Sequence, residues 1–351
     1  MKQYFSFQWH ITDECDQCCK HCYIFLGDQC KKLISMTWGQ IYDTFYNCLN
    51  FCKMYNRQPY FYITGGDPIL HPNFWDLLGL IKEHDIKFII LGNPFHLTDE
   101  VCKRLKEHGC EKYQMSLDGL RELHDWFRKP GSFDCTIEKI KCIKNAGIKS
   151  VIMTTASKTN LDDIPGIMDT VVENEVDIFA FSRYVPSGGD LDANMTAQEY
   201  RELIAKCDEK FKFYEAQGCH TYFNKKDHLW TLFNYENGTF KLSETKDGMI
   251  YGGCNCGNCH ITILTTGDFY ACRRVQEGKV DNVFEDRLAD VWVTNTECYR
   301  EYTKFSKCTK CKLLAFCHGC PAVAKGTNGD FYSADPQCWA DENSELFRKG
   351  V

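Results

Sequence analysis

Over residues 4–218, short runs of strand character alternate with longer segments of helical period. Residues 4–11, 60–64, 87–91, 113–117, 151–155 and 178–184 read as strands. Helical patterns follow over residues 37–55, 73–84, 98–108, 136–146, 161–174 and from 196 to about 218. Thr37 with Gln40, and Thr196 with Glu199, have the spacing of a capping box, while Gly109 and Gly147 stand where a left-handed residue ends a helix. Six strand–helix units in succession predict an α/β fold of parallel strands covered by helices, a partial (β/α)6 barrel. In such barrels chemistry sits on the loops that leave the strands. The polar residues out of place in this pattern fall there: a cysteine group after strand one, Gly65-Gly66-Asp67 after strand two and Asn93 after strand three. Ser116 and Asp118 end strand four, and Arg183 and Tyr184 end strand six.

Cysteine is the compositional outlier, with 23 in 351 residues. No apolar run approaches the roughly 20 residues of a membrane span, and the first residues lack the unbroken apolar core of a signal peptide. A soluble, cytoplasmic chain is expected, and in a reducing compartment clustered thiols hold metal or iron–sulfur groups more often than disulfides. Net charge is −7, which argues against a nucleic-acid-binding surface. From about residue 218 the periodicity fades into an aromatic and charged stretch, then a cysteine-rich tail. The expected organisation is a barrel over 1–218, a bridge over 219–250 and a small cysteine-rich α+β domain over 251–351.

Cys15, Cys19 and Cys22 have the spacing C-x3-C-x2-C, with Cys18 as an extra thiol that can replace Cys19. Three thiolates suit three irons of a [4Fe–4S] cluster and leave the fourth open; by spacing alone a zinc loop fits as well. The surroundings resemble the radical SAM superfamily. Trp9-His10-Ile11-Thr12 through His21-Cys22-Tyr23 looks like that family's opening loop, and Gly65-Gly66-Asp67-Pro68 resembles its Gly-Gly-Glu motif, with Asp for Glu. Ser116-Leu117-Asp118-Gly119, with His124-Asp125, Arg128 and Gly131-Ser132-Phe133-Asp134, is close to its ribose- and carboxylate-binding stretch. The resemblance implies that Cys15, Cys19 and Cys22 hold the cluster that cleaves S-adenosylmethionine to a 5′-deoxyadenosyl radical. It implies that Gly65, Gly66, Asp67, Ser116, Asp118 and Arg128 bind S-adenosylmethionine.

The tail reads Cys254-x12-Gly267-x4-Cys272, then Cys308-x2-Cys311-x5-Cys317-x2-Cys320, and Cys338. Alone it suits zinc as readily as iron. Behind such a barrel it resembles the SPASM extension, which binds two auxiliary [4Fe–4S] clusters, although the spacing before Cys320 is one residue short of the usual pattern. The resemblance implies one cluster on Cys254, Cys272 and Cys320 with Cys259, or in its place Cys256, as fourth ligand. It implies a second on Cys308, Cys311, Cys317 and Cys338, making three clusters in all. Cys48, Cys52, Cys102, Cys135 and Cys142 sit in helical patterns and read as small core residues.

Enzymes with this extension mostly modify ribosomally made peptides by thioether or carbon–carbon cross-linking or by epimerisation. That is the expected activity, with Arg183 and Tyr184 as candidate catalytic residues. The resemblance also implies a reducing partner such as flavodoxin or ferredoxin, and no membrane or nucleic-acid partner. The short arm before strand one leaves no room for a leader-recognition domain, so a separate leader-binding protein is a further expected partner. A sulfatase-maturing or haem-precursor-modifying enzyme is the alternative, and a zinc or iron–sulfur binding module the non-enzymatic one. Cys272 is followed by Arg273 and Arg274 where sulfatase-maturing enzymes carry a catalytic Asp, which lowers that alternative.

Overall fold

A computed structural model of the chain describes residues 2–22, 24, 32–186, 191–246, 248–275 and 277–347. Tyr23, Cys30, Ser187 and Gly188 lie outside the described residues. Strands β1 (Tyr4–His10), β2 (Gln58–Thr64), β3 (Lys87–Leu91), β4 (Cys110–Ser116), β5 (Lys149–Ala156), β6 (Ile178–Arg183) and β7 (Tyr222–Asn224) lie side by side in chain order, every neighbouring pair parallel. Helices α1 (Trp38–Met54), α2 (Phe74–Glu83), α3 (Asp99–Glu107), α4 (Arg121–Phe127), α5 (Ser132–Asn145), α6 (Ile164–Glu173) and α7 (Ala197–Ala216) occupy the crossovers.

The local chemistry explains most boundaries. Both bonds of the Thr37–Gln40 and Thr196–Glu199 capping boxes form, so α1 and α7 begin where the sequence places them. One face of α1 buries Ile41, Phe45, Cys48, Phe51 and Cys52, which makes Cys48 and Cys52 core residues as expected. Gly109 and Gly147 take positive φ of 93° and 72° just after α3 and α5. Helix α4 has no counterpart among the expected elements, and α5 begins at Ser132, ahead of the expected residue 136. The missing signal is a long-range cap: the Asp125 carboxylate accepts from the Gly131 and Phe133 N–H groups at 2.7 and 2.8 Å, turning the chain into α5.

After helix α8 (Trp230–Glu236), three short strands rejoin the same sheet: β8 (His260–Ile263), β9 (Asp268–Tyr270) and β10 (Lys279–Asn282). β8 pairs parallel with β1 on the side away from β2, so Ser6 lies opposite His260 and Trp9 opposite Ile263. β9 and β10 continue antiparallel, giving the order β10-β9-β8-β1-β2-β3-β4-β5-β6-β7. Helix α9 (Leu288–Asn295) packs on α1, and its Trp292 ring meets Phe5 edge-on at 5.1 Å. The Asn47 side chain donates to the Val283 carbonyl and accepts from the Leu288 N–H. The tail is therefore built onto the barrel's first strand and helix. Helix α10 (Pro321–Asn328) closes it. The sheet does not close on itself by strand pairing: β10 and β7 are its two edges. No described helix is long and apolar enough to cross a membrane.

Candidate active site

Cys15, Cys19 and Cys22 are half-buried on the loop leaving β1. Asn93 Nδ2, after β3, points at Cys15 Sγ at 3.3 Å, and an Arg128 guanidinium nitrogen lies 3.6 Å from Cys19 Sγ. Burial pushes the Cys19 thiol up to about 11; Arg128 opposes that shift, while Cys22 and Cys15 add to it. The three sulfurs thus share one locus, where a metal would deprotonate them on binding. Cys18 is exposed, in a left-handed conformation at φ 50°, so its thiol does not stand in for Cys19.

Gly65 and Gly66 answer a packing demand. A Cβ on Gly65 would lie 2.2 Å from the Thr12 carbonyl oxygen, and one on Gly66 2.2 Å from that of Glu14. The close approach lets the N–H groups of Gly66 and Asp67 donate to those carbonyls at 2.8 and 2.7 Å, locking this turn onto the cysteine loop. Asp67 is fully buried, and neither carboxylate oxygen has a hydrogen bond of normal geometry. Burial raises its pKa to about 7. Asp16 and His96 offer ligand atoms within 4.8 Å of it. An unsatisfied buried carboxylate beside the three thiols is the arrangement an ammonium group of S-adenosylmethionine would complete.

Asp118 and Arg128 are placed differently from the expectation. Arg128 Nε and a terminal nitrogen bond Asp118 Oδ2 at 2.8 and 2.7 Å, His21 Nε2 lies 3.3 Å from the same oxygen, and the Thr155 N–H donates to Oδ1 at 2.9 Å. Burial pushes the Asp118 carboxyl up, but Arg128 and then His21 outweigh it and hold it well below the usual carboxylate range. Asp118 thus holds Arg128 against Cys19. Gln17 extends this support, accepting from Arg128 at 3.2 Å and donating to Ser132 Oγ at 2.9 Å. Ser116 is half-buried at the end of β4. Asn93 lies on the rim where the sequence places it, after the third strand, whereas Gln17 was not among the expected residues because no spacing rule links it to the thiols.

Arg183 is corrected from candidate catalyst to structural clamp. It is 1% exposed, with Nε on Asp227 at 2.9 Å and its terminal nitrogens on both Asp335 oxygens and Gln337, each at 2.8 Å. These bonds join β6 to the bridge and the tail, and leave the guanidinium no face for a substrate. Asp335 also accepts from the Cys320 N–H at 2.8 Å. Tyr184 is buried next to it, its N–H on the Ala156 carbonyl.

The tail thiols form two groups. Cys308, Cys311, Cys317 and Cys338 line one small cavity with Leu232, Leu313 and Phe347. In the other group the Cys256 thiol sits between Cys254 and Cys272 and bonds both, while Cys320 interacts with Cys254 and Cys272. The Cys256 thiol, with help from His228 and His318, holds Cys254 below the ordinary thiol range. The same thiol brings Cys272 down to about 7. Cys259 packs against the main core, with Arg57 and then Cys254 as its charged neighbours, and its carbonyl accepts from the Ser6 N–H of β1 at 2.9 Å. Its backbone is thus fixed by the sheet, and of the two expected alternatives Cys256 is the thiol that bonds both Cys254 and Cys272.

Comparison with known proteins agrees with this geometry. The radical SAM superfamily model matches residues 9–171, and the model of the iron–sulfur cluster-binding domain SPASM matches residues 254–321. An AdoMet-dependent heme synthase of Nitratidesulfovibrio vulgaris is 26% identical over 355 residues, covering 94% of this chain and 90% of that protein. The mycofactocin maturase MftC of Mycolicibacterium smegmatis is 25% identical, over 94% of this chain and 81% of its own. The fold is shared with Streptococcus suis SuiB in its crystal structure bound to precursor peptide SuiA: TM-score 0.76 at 23% identity, over 97% of this chain and 77% of SuiB. Such domains imply iron–sulfur clusters and S-adenosylmethionine. With a thiol locus on the first barrel loop and two more in the tail, the chain is a radical SAM superfamily enzyme with a C-terminal SPASM domain.

Proposed function

We propose that this enzyme modifies a ribosomally made peptide, forming a thioether or carbon–carbon cross-link or inverting a centre. Cys15, Cys19 and Cys22 would hold the cluster at which S-adenosylmethionine binds. Cys254, Cys256, Cys272 and Cys320 would hold a second cluster, and Cys308, Cys311, Cys317 and Cys338 a third. When bound, the first cluster would supply the electron for cleaving S-adenosylmethionine to the 5′-deoxyadenosyl radical that abstracts a substrate hydrogen atom. Asp67 receives the ammonium group, and Arg128 keeps its charge beside Cys19. A reducing partner such as flavodoxin or ferredoxin is required, and a separate leader-binding protein fits the same reading.

The observation that carries the peptide reading is the open side of the sheet. β7, a strand of three residues, is one edge of the sheet, and His228 shortly after it interacts with Cys254. An extended peptide can add backbone hydrogen bonds along such an edge; a tetrapyrrole has no backbone to offer. A haem-precursor substrate is the second reading, favoured by the heme synthase relative, which matches over nearly its whole length. The test is anaerobic incubation of reduced holoenzyme and S-adenosylmethionine with the short cysteine-rich or repeat-bearing peptides encoded beside its gene, and separately with iron coproporphyrin. Loss of two hydrogen atoms per new bond, or solvent deuterium at one α-carbon, supports the peptide reading. Consumption of the tetrapyrrole alone overturns it.

A further inference from the structure

Helices α1, α2 and α3 enclose a groove of about 640 Å³ that the chemistry described above does not use. α1 contributes Trp38 and Tyr42, and α3 contributes Arg104 and His108. α2, which follows the strand between β1 and β3, supplies Trp75, Asp76, Gly79 and Glu83. Trp38 and Tyr42 are 37% and 44% exposed, with ring centroids 6.3 Å apart. On the α3 side, the Arg104 guanidinium lies 4.0 Å over the Trp75 ring, and the His108 ring is 5.5 Å from it. Large aromatic side chains thus stand in water around one recess, which packing of this chain alone does not require.

The groove is open at its centre and acidic at its ends. Gly79 stands in the interior of α2, where glycine is less favourable than alanine. A Cβ there would meet no atom within 4 Å, so no close approach calls for its absence. What the glycine leaves is space, about one helical turn from Asp76 and one from Glu83. Both carboxylates are exposed, and neither has an ion pair among the described residues. Asp76 accepts from Asn73 Nδ2 at 2.9 Å, while Arg104, which lines the same groove, faces the Trp75 ring instead of either acid. Seven residues of helix set the two acids roughly 10 Å apart along one stripe of α2.

We propose that this groove docks a basic amphipathic helix of a second protein. Two cationic side chains seven residues apart meet Asp76 and Glu83, and an apolar side chain between them enters the space over Gly79. The charge is set by the two uncommitted carboxylates and by the Trp38 and Tyr42 rings, whose faces attract cations. The helical form is set by the pitch: a helix laid along α2 repeats at the same spacing, so both cations engage together while the intervening ridge fills the groove. No lining residue belongs to the loop of Cys15, Cys19 and Cys22, so the docking site stands or falls separately from S-adenosylmethionine cleavage. It is equally independent of whether the substrate is a peptide or a tetrapyrrole.

The test uses anaerobically purified holoenzyme and a dye-labelled helical peptide of Ala and Gln, with Lys and Arg seven residues apart and a Leu pair midway between them. One control carries Gln for both cations, and another has the same residues scrambled. Fluorescence anisotropy at low ionic strength should show saturable binding of the first peptide, about tenfold tighter than either control, the worth of two partly exposed ion pairs. Binding should weaken several-fold in about 0.3 M salt. Asp76→Asn with Glu83→Gln should abolish the preference for the cationic peptide. Gly79→Gln places a better helix former in open space; it should hold or raise the melting temperature yet weaken binding by about tenfold, which separates a filled groove from an unfolded one. Production of 5′-deoxyadenosine should be unchanged in both variants. Equal binding of the cationic peptide and its controls, or undiminished binding by Gly79→Gln, overturns the docking site. A wild-type dimer that Gly79→Gln dissolves, with no peptide bound, gives the groove to a second copy of the chain and overturns the basic partner.

Discussion

The loop of Cys15, Cys19 and Cys22 is pinned by a finished barrel, whereas the tail thiols lie among turns that have little else to organise them. The loop is held through the Lys20 N–H on the Phe127 carbonyl, Gln17 on Ser132, Asn93 on Asp16, and the backbone bonds of Gly66 and Asp67. Around Cys308 and Cys311 the regular structure is reduced to 3₁₀ turns of three or four residues, and four thiols line a common cavity. The first site is a socket in a rigid frame. In the second, metal binding is expected to supply folding free energy, because only short turns frame Cys308 and Cys311.

That contrast is broken most sharply by removing ligands. Cys308→Ala with Cys311→Ala should release about four irons and leave the region from residue 297 to 338 open to protease, while some cleavage of S-adenosylmethionine persists. Replacing Cys15, Cys19 and Cys22 by Ala should abolish 5′-deoxyadenosine yet leave the melting temperature of the barrel nearly unchanged. A protease-resistant tail in the first variant would end the distinction. Next in size is Arg183→Met, which strands Asp227 and Asp335 in the interior; a loss of about 3–5 kcal/mol in urea unfolding is expected. Full activity in a stable Arg183→Met enzyme would show that the clamp is dispensable.

Finer tests follow within each region. Cys256→Ser should cost one cluster's iron, whereas Cys259→Ser should keep it; the reverse would restore Cys259 as the ligand. Asp67→Asn should retain iron and weaken S-adenosylmethionine binding by roughly 10–100-fold, the worth of a charge-assisted hydrogen bond. Burial raises the Asp67 pKa from 3.8 to about 7. The ligand-free protein therefore loses stability as pH climbs between those values, because the folded state holds the proton longer. Affinity for the ammonium should move the other way, rising by up to about tenfold per pH unit until it levels above pH 7. Binding curves that are flat between pH 5 and 8 would remove Asp67 from that contact. The smallest effect belongs to Cys18→Ser, expected to match the wild type in iron content and activity.

Local rules carried the sequence reading a long way. The capping boxes of α1 and α7, the glycine stops after α3 and α5, and β3 to the residue all follow from nearest neighbours along the chain. The cysteine loop and its glycine turn were legible because their spacing is short. What escaped depends on partners distant in sequence. Arg183 looked free at the end of β6 because its carboxylates, Asp227 and Asp335, come 44 and 152 residues later. Asp118 looked like a ligand contact because nothing in the spacing says that Arg128 turns back onto it. Cys256 and Cys259 are three residues apart, and only the pairing of β8 with β1 decides which of them faces the other thiols.

The insertion of β8 beside β1 also sets a timetable for synthesis. β1 leaves the ribosome ahead of every other strand of the sheet, and β2 can cover one of its edges early. Its other edge waits for His260–Ile263. At about 5–20 residues per second that interval is on the order of 10–50 s. Throughout it, Phe5 lacks Trp292 and an aromatic-rich strand keeps an open flank, the kind of edge that recruits strands from other chains. Ribosomes stalled before residue 260 should therefore yield nascent chains that depend on a holdase, and a translation pause within the bridge should lower soluble yield more than the same pause placed after residue 300.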